Sequence, residues 1–217
     1  TNAIQKAVDA ALEKIEADTK SITITVDAGT YSGDIVISSV MNRTTTTTTT
    51  YMDSEGNVLG TVDTVNELAA EEYVIPEDFV LNIVASDAGD SLTESSGGVL
   101  IEGDIVIDDI NVLLAGLYLS LNSTVKVQST TDDDNPEVEI YGTSGDDTIQ
   151  VSAEGQDDGG DKTSVTVYGG DGQDTISLTA GSGADVEIYG NAGDDTISVT
   201  GGTEADADSQ TTVNVYA

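Results

Sequence analysis

Four tyrosines, at positions 141, 168, 189 and 216, fall 27, 21 and 27 residues apart, and each follows the same short pattern. The segments read VEIYGTSGDDTIQV (138–151), VTVYGGDGQDTISL (165–178), VEIYGNAGDDTISV (186–199) and VNVY (213–216). A period of this length is the mark of a solenoid, because one such unit cannot bury its apolar face alone and neighbouring units must stack. Each unit holds two short strands around a tight turn, and a longer, variable loop returns the chain. Period-two alternation sends Val138, Val165, Val186 and Val213 inward as one ladder and Ile140, Val167, Ile188 and Val215 as a second. In the other strand Ile149, Ile176 and Ile197, with Val151, Leu178 and Val199, do the same. Glu139, Thr166, Glu187 and the tyrosines are left outside. With coils about 4.8 Å apart, Tyr141, Tyr168, Tyr189 and Tyr216 are expected to form an external aromatic ladder.

The upstream half reads as further coils behind a helical cap. Over residues 2–17, Ile4, Val8, Ala11, Leu12 and Ile15 fall on one helical face, and Asn2 with Gln5 predicts a capping box. Strands are expected at 21–26 (SITITV), 34–38 (DIVIS), 79–84, 99–101, 104–107, 112–121 and 124–127, with a turn at 27–33. The seven threonines at 44–50 and the turn residues DSEGN at 53–57 predict a protruding β-hairpin over 44–65. An amphipathic helix feeding short strands broken by Gly turns resembles the start of a pectate-lyase-like right-handed parallel β-helix, in which the helix covers the open end. The expected fold is therefore all-β: a right-handed parallel β-helix/β-roll solenoid with an N-terminal capping α-helix. Its two parts are 1–130, with cap, β-helix coils and the hairpin at about 41–75, and 131–217, the continuous run of turn-bearing coils.

Composition narrows the chemistry. The chain has 41 Asp plus Glu against 6 Lys plus Arg, a net charge of −35, and no Cys, His or Trp. Without Cys or His there is no disulfide framework, no zinc site of the N/S kind and no imidazole base. A metal here is a hard cation on oxygen ligands. Such a surface repels phosphate backbones and anionic lipid, so neither nucleic acid nor membrane is an expected partner. No stretch approaches the roughly 18 apolar residues of a membrane span. The chain opens Thr1-Asn2-Ala3 and stops after beginning a repeat at 211–217, which reads as a piece of a larger protein.

The turns carry the most specific signal. GGDGQDTIS (169–177) fits G-G-x-G-x-D-x-U-x at every fixed position, and 142–150 and 190–198 fit all but the second glycine, replaced by Thr143 and Asn191. Three matches in phase with the strand ladders resemble the calcium-binding nonapeptide of RTX (repeats-in-toxin) proteins. That resemblance implies Ca²⁺ clamped between stacked turns, with Asp147, Asp174 and Asp195 as carboxylate ligands. It also implies supplementary carbonyls from Gly142, Ser144, Gly145, Gly169, Asp171, Gly172, Gly190, Ala192 and Gly193. Ca²⁺ suits such a site because it takes six to eight oxygens in flexible geometry, whereas Mg²⁺ demands an octahedron. The return loops do not repeat the motif, so one calcium ladder with two inter-turn sites is expected; Asp157, Asp158 and Asp161 are a further, weaker candidate.

Residues 131–217 hold 20 acidic residues and one basic residue, Lys162, giving 1 − 20 = −19. In low calcium such a segment repels itself, and millimolar calcium outside the cell would fold it. RTX proteins are typically exported unfolded by type I secretion, so the expectation is an extracellular or cell-surface location. The expected role is non-catalytic and structural: an adhesin stalk, or a subunit of an extracellular filament or surface layer, with self-association through solenoid ends or edges. One alternative is a module that binds a glycan or a surface receptor. Another follows from a resemblance to the layout of mannuronan epimerases, a polysaccharide-active β-helix of lyase or epimerase kind. Against it, such enzymes neutralise a uronate with Arg, Lys or His, and the six cations here, Lys6, Lys14, Lys20, Arg43, Lys126 and Lys162, are scattered.

Overall fold

A computed structural model describes residues 2–41, 44–52, 58–67, 71–72, 75–86, 98–130, 135–155, 162–201 and 211–216. Its elements, in chain order, are α1 (Ala3–Leu12), β1 (Ser21–Val26), β2 (Gly29–Ser32), β3 (Ile35–Ser38), β4 (Val40–Met41), β5 (Thr44–Met52), β6 (Val58–Glu67), β7 (Glu71–Glu72), β8 (Val80–Ala85), β9 (Val99–Glu102) and β10 (Ile105–Asp108). They continue with β11 (Asn111–Ala115), β12 (Leu117–Leu119), β13 (Val125–Gln128), β14 (Glu137–Tyr141), β15 (Thr148–Glu154), β16 (Thr163–Asp171), β17 (Thr175–Ala180), β18 (Ala184–Ala192), β19 (Thr196–Gly201) and β20 (Thr212–Tyr216). The chain divides into two compact units, residues 1–38 with 74–217 and residues 39–73.

The larger unit is a parallel β-helix that becomes a β-roll. One face is the seven-stranded sheet β1-β8-β11-β14-β16-β18-β20 and a second is the six-stranded sheet β3-β10-β13-β15-β17-β19. A third sheet, β2-β9-β12, runs through the first three coils only. From β14 onward the middle strand is replaced by the glycine-rich turn, and each coil has two strands. All pairings in these three sheets are parallel. The register is what the repeat predicts: Val138 pairs with Val165, Val165 with Val186 and Val186 with Val213, while Ile149, Ile176 and Ile197 align in turn. A slip by one residue would turn each of these ladders to solvent, so the alternation fixes the stacking.

The core is a column of aliphatic side chains. Ile35, Ile37, Leu81, Ile83, Ile101, Ile105, Ile107, Val165, Val167, Ile176, Val186 and Ile188 are fully buried, with Phe79 the one large ring among them. Val199 and Val215, at inward positions of the last described strands, are 39% and 45% exposed because no further described coil packs on them. At the other end Ile4, Val8, Ala11 and Leu12 of α1 are buried, and the helix packs on β1 and β3, the first strands of the two main sheets.

Four sequence expectations need correction. The helix is shorter, ending at Leu12, and Ile15 lies outside it. Asn2 does cap it, its side chain accepting the Ile4 N–H at 2.9 Å, but Gln5 does not return to the cap. Instead, Gln5 accepts the Val36 N–H and donates to the Val36 carbonyl, which fastens the helix to the exposed side of β3. The span 27–33 is more than a turn, since it contains β2, and the apolar run 112–121 is broken at Gly116 (φ 68°) into β11 and β12. Both misreadings have one cause: a three-sheet coil needs corners where the sequence pattern of a flat strand carries no mark.

The smaller unit is an antiparallel hairpin. β5 pairs with β6 from Thr44–Glu67 to Met52–Val58, with an irregularity at Tyr51/Met52, and β4 pairs with β7. The predicted turn residues 53–57 lie outside the described residues.

Candidate metal centre

The three nonapeptide turns lie on one edge of the roll, between β14 and β15, β16 and β17, and β18 and β19. Strand pairing stacks them, so equivalent residues of successive turns meet. Residues Asp147, Asp174 and Asp195 form a directional ladder: the Asp147 N–H donates to Oδ1 of Asp174 at 2.9 Å, and the Asp174 N–H donates to Oδ1 of Asp195 at 3.0 Å. Their carbonyls are used as well, Asp147 O accepting from Thr175 N–H and Asp174 O from Thr196 N–H. Asp147 is 5% and Asp174 1% exposed, so two formal negative charges stand in a nearly dry stack.

Burial pushes the carboxyl of Asp174 up to about 6, with Asp147, Asp195 and Asp146 adding repulsion against the backbone hydrogen bond that opposes it. Burial also raises Asp147, and there the Thr143 hydrogen bonds pull back. A buried carboxylate is tolerable only when paired or hydrogen-bonded. Oδ2 of Asp174 is buried and has no hydrogen-bond partner, the one such carboxylate oxygen among the described residues.

The glycines explain how carbonyls reach this ladder. The Gly169 carbonyl lies where a Cβ on Gly142 would project, that of Gly190 stands 2.7 Å from the Cβ direction of Gly169, and that of Gly145 2.6 Å from that of Gly172. The Gly172 carbonyl likewise fills the space a side chain at Gly193 would take. Only glycine lets successive turns close this tightly. Of the other carbonyls expected to contribute, that of Ala192 accepts the Gly172 N–H at 2.8 Å, which still leaves it a second lone pair. Ser144 and Asp171 sit in the same stacked turns, Asp171 donating its N–H to the Thr143 carbonyl. Among the described residues no three acidic side chains converge into a preformed cage. The oxygens that stacking brings together here, aspartates of successive turns and main-chain carbonyls, are all hard donors. Those properties fit Ca²⁺, and a cation there would supply the partner that Asp174 Oδ2 lacks.

Two residues of the site were not picked out from sequence. Thr143, in the motif only a departure from glycine, donates both its N–H and its hydroxyl to Asp147 Oδ2, at 2.6 and 2.9 Å. Asp146 accepts the Gln173 N–H at 2.8 Å and so joins the first turn to the second. Asp157, Asp158 and Asp161 lie outside the described residues.

A parallel solenoid whose turns stack glycine on glycine and aspartate on aspartate defines a calcium β-roll. The family model for the RTX calcium-binding nonapeptide repeat (4 copies) matches residues 139–153, 160–186 and 177–203. This part of the chain consists of RTX repeats, and RTX repeats bind Ca²⁺. No curated protein and no solved structure matches the chain significantly.

Proposed function

We propose that the chain is a calcium-stiffened, non-catalytic structural segment of a large secreted or cell-surface protein, such as an adhesin stalk, a filament or a surface layer. In this reading Asp147, Asp174 and Asp195, with the turn carbonyls of Gly142, Ser144, Gly145, Gly169, Asp171, Gly172, Gly190, Ala192 and Gly193, form the ligand ladder. The observation that carries it is the buried, unpartnered Oδ2 of Asp174 within the stacked turns. Calcium binding becomes folding energy here, because a segment of charge −19 lacks the cations to neutralise itself. The same arithmetic supports export in an unfolded state and folding outside the cell. The upstream coils, with three parallel sheets and a helix over the first coil, support a pectate-lyase-like β-helix as the base on which the roll is built.

Two features favour scaffold over enzyme or lectin. Of the six cations, Lys20 stands beside Asp78 and Lys126 beside Asp104, so at these two a carboxylate that would repel a uronate lies next to the ammonium. The tyrosine rings stack on one another with centroids 4.6, 5.1 and 4.7 Å apart, which occupies the inner ring faces a sugar would need. The test is a Ca²⁺ titration of chelator-treated protein followed by far-UV circular dichroism and light scattering, with Mg²⁺ as control. Strand signal that grows only with Ca²⁺, and fails in the Asp147→Asn, Asp174→Asn, Asp195→Asn triple variant, supports the reading; concurrent growth of scattering supports assembly. Full structure in chelator, or saturable glycan binding without assembly, would overturn it.

A further inference from the structure

The three turns are not built alike. At their second position stand Thr143, Gly170 and Asn191. Gly170 and Asn191 take positive φ, 115° and 70°, and at the fourth position Gly172 and Gly193 do so too, at 116° and 146°. Thr143 and Gly145 do not. A β-branched residue is strained in the left-handed region, whereas Gly is free there and Asn tolerates it. The first turn therefore takes a different path, and its second N–H points at the aspartate of its own turn.

That path engages one oxygen of the carboxylate, Oδ2. In each turn Oδ2 of the aspartate lies against the glycine at the first position, Asp147 against Gly142, Asp174 against Gly169 and Asp195 against Gly190. In the first turn this oxygen receives the Thr143 N–H at 2.6 Å and the Thr143 hydroxyl at 2.9 Å. The same hydroxyl accepts the Gly145 N–H at 3.1 Å, so its capacity is used in closing the turn. In the second turn the equivalent oxygen has no partner. Thr143 is 9% exposed, so water does not readily compete with its bonds to Asp147. Charge-assisted bonds of this kind are stronger than neutral ones, and a cation would have to displace two of them to use the same oxygen.

We propose that the Thr143 hydrogen bonds to Asp147 compete with calcium in the first turn, so that the gap between the second and third turns, with Asp174 and Asp195, is the tight site and the gap involving Asp147 is the weak one. The inference rests on the calcium reading of the turns and adds an order to it. The first turn becomes a less metal-dependent step between the three-sheet coils and the calcium-dependent roll.

The experiment is isothermal calorimetry of Ca²⁺ into the full, chelator-stripped chain, with circular dichroism at saturating Ca²⁺ to verify folding. Asp147→Asn is expected to leave the tight site within about twofold, under 0.5 kcal/mol, whereas Asp174→Asn removes it. Thr143→Gly, which restores the glycine of the motif, is expected to add one tight ion, and adding Asp147→Asn to that variant should take it away again. Equal losses in Asp147→Asn and Asp174→Asn would overturn the inference while leaving the calcium reading intact, and this comparison decides even where Thr143→Gly fails to fold. Binding unchanged in all three single Asp→Asn variants, at 147, 174 and 195, would instead overturn the calcium reading of these turns, and the inference with it.

Discussion

The carbonyl oxygen of Gly169 occupies the space that a side chain on Gly142 would need, and that oxygen belongs to backbone held by strand pairing on both sides. Gly142 is thus required for approach between coils, independently of any turn conformation. Gly142→Ala must push two coils apart, an overpacking cost of about 1–3 kcal/mol. Gly201→Ala, at the end of β19, meets nothing within 4 Å and should be neutral or stabilise by up to about 1 kcal/mol. Thermal melts of the two variants in saturating Ca²⁺ should move in opposite directions or differ clearly; equal midpoints would contradict the stacked geometry.

Calcium removal is expected to act on one end of the solenoid. In the three-sheet coils the turn carboxylates are neutralised from within: the Asp104 N–H donates to Asp34 Oδ1, the Thr124 N–H donates to Asp104 Oδ1, and the ammonium of Lys126 pairs with Asp104 Oδ2. Lys126 draws Asp104 below the usual carboxylate range, the opposite of what burial does to Asp174. Chelator should therefore accelerate amide hydrogen exchange by about tenfold or more in β16–β19 while β3, β10 and β13 keep their protection. Uniform loss along the whole chain would show that the upstream coils depend on the metal too.

Much of this was legible in the repeat itself. The Val138, Val165, Val186, Val213 register, the Asp147–Asp174–Asp195 alignment and the tyrosine stack all follow from the period, because stacking converts equal sequence position into spatial contact. Where the period is absent, the reading weakened. Coils of the first half are held by short strands and corners, so β2 looked like a turn and β11–β12 like one strand. Thr143 was seen as an imperfect match because a motif records which residue stands at a position, whereas its role depends on a hydrogen bond to a side chain four residues away.

The tyrosine ladder offers a local probe of the roll. Tyr168 stacks on Tyr141 and on Tyr189 at interplanar angles of 12° and 11°, while the flanking rings donate their hydroxyls to Glu139 and Glu187. Each stacked pair contributes about 0.5–1.5 kcal/mol beyond burial. Tyr168→Ala removes two pairs and should cost about 1–3 kcal/mol in a chemical denaturation curve. Tyr168→Phe keeps both and should stay near wild type. If alanine and phenylalanine behave alike, the stack is a consequence of register and contributes nothing of its own.

Asp108 gives a pH dependence separate from the calcium turns. It ends β10, where the Thr130 hydroxyl donates to its Oδ1 at 2.9 Å and the Ser38 hydroxyl to its Oδ2 at 3.4 Å. Burial first, then the neighbouring charge of Asp109, raise its carboxyl above the ordinary range against the hydrogen bonds from Thr130, Gln128 and Ser38. The raised folded-state value means that folding disfavours the ionised form. The penalty is complete above the folded-state value, shrinks as pH falls through it, and is gone below the unfolded one. Asp108→Asn keeps an acceptor for Thr130 and removes the charge. The variant should gain stability over wild type at neutral pH, and the gain should fade as pH drops into the ordinary carboxylate range. Denaturant midpoints for both proteins across that range, in saturating Ca²⁺, check the sign; a difference that stays constant with pH would mean that the ionised group is not penalised on folding.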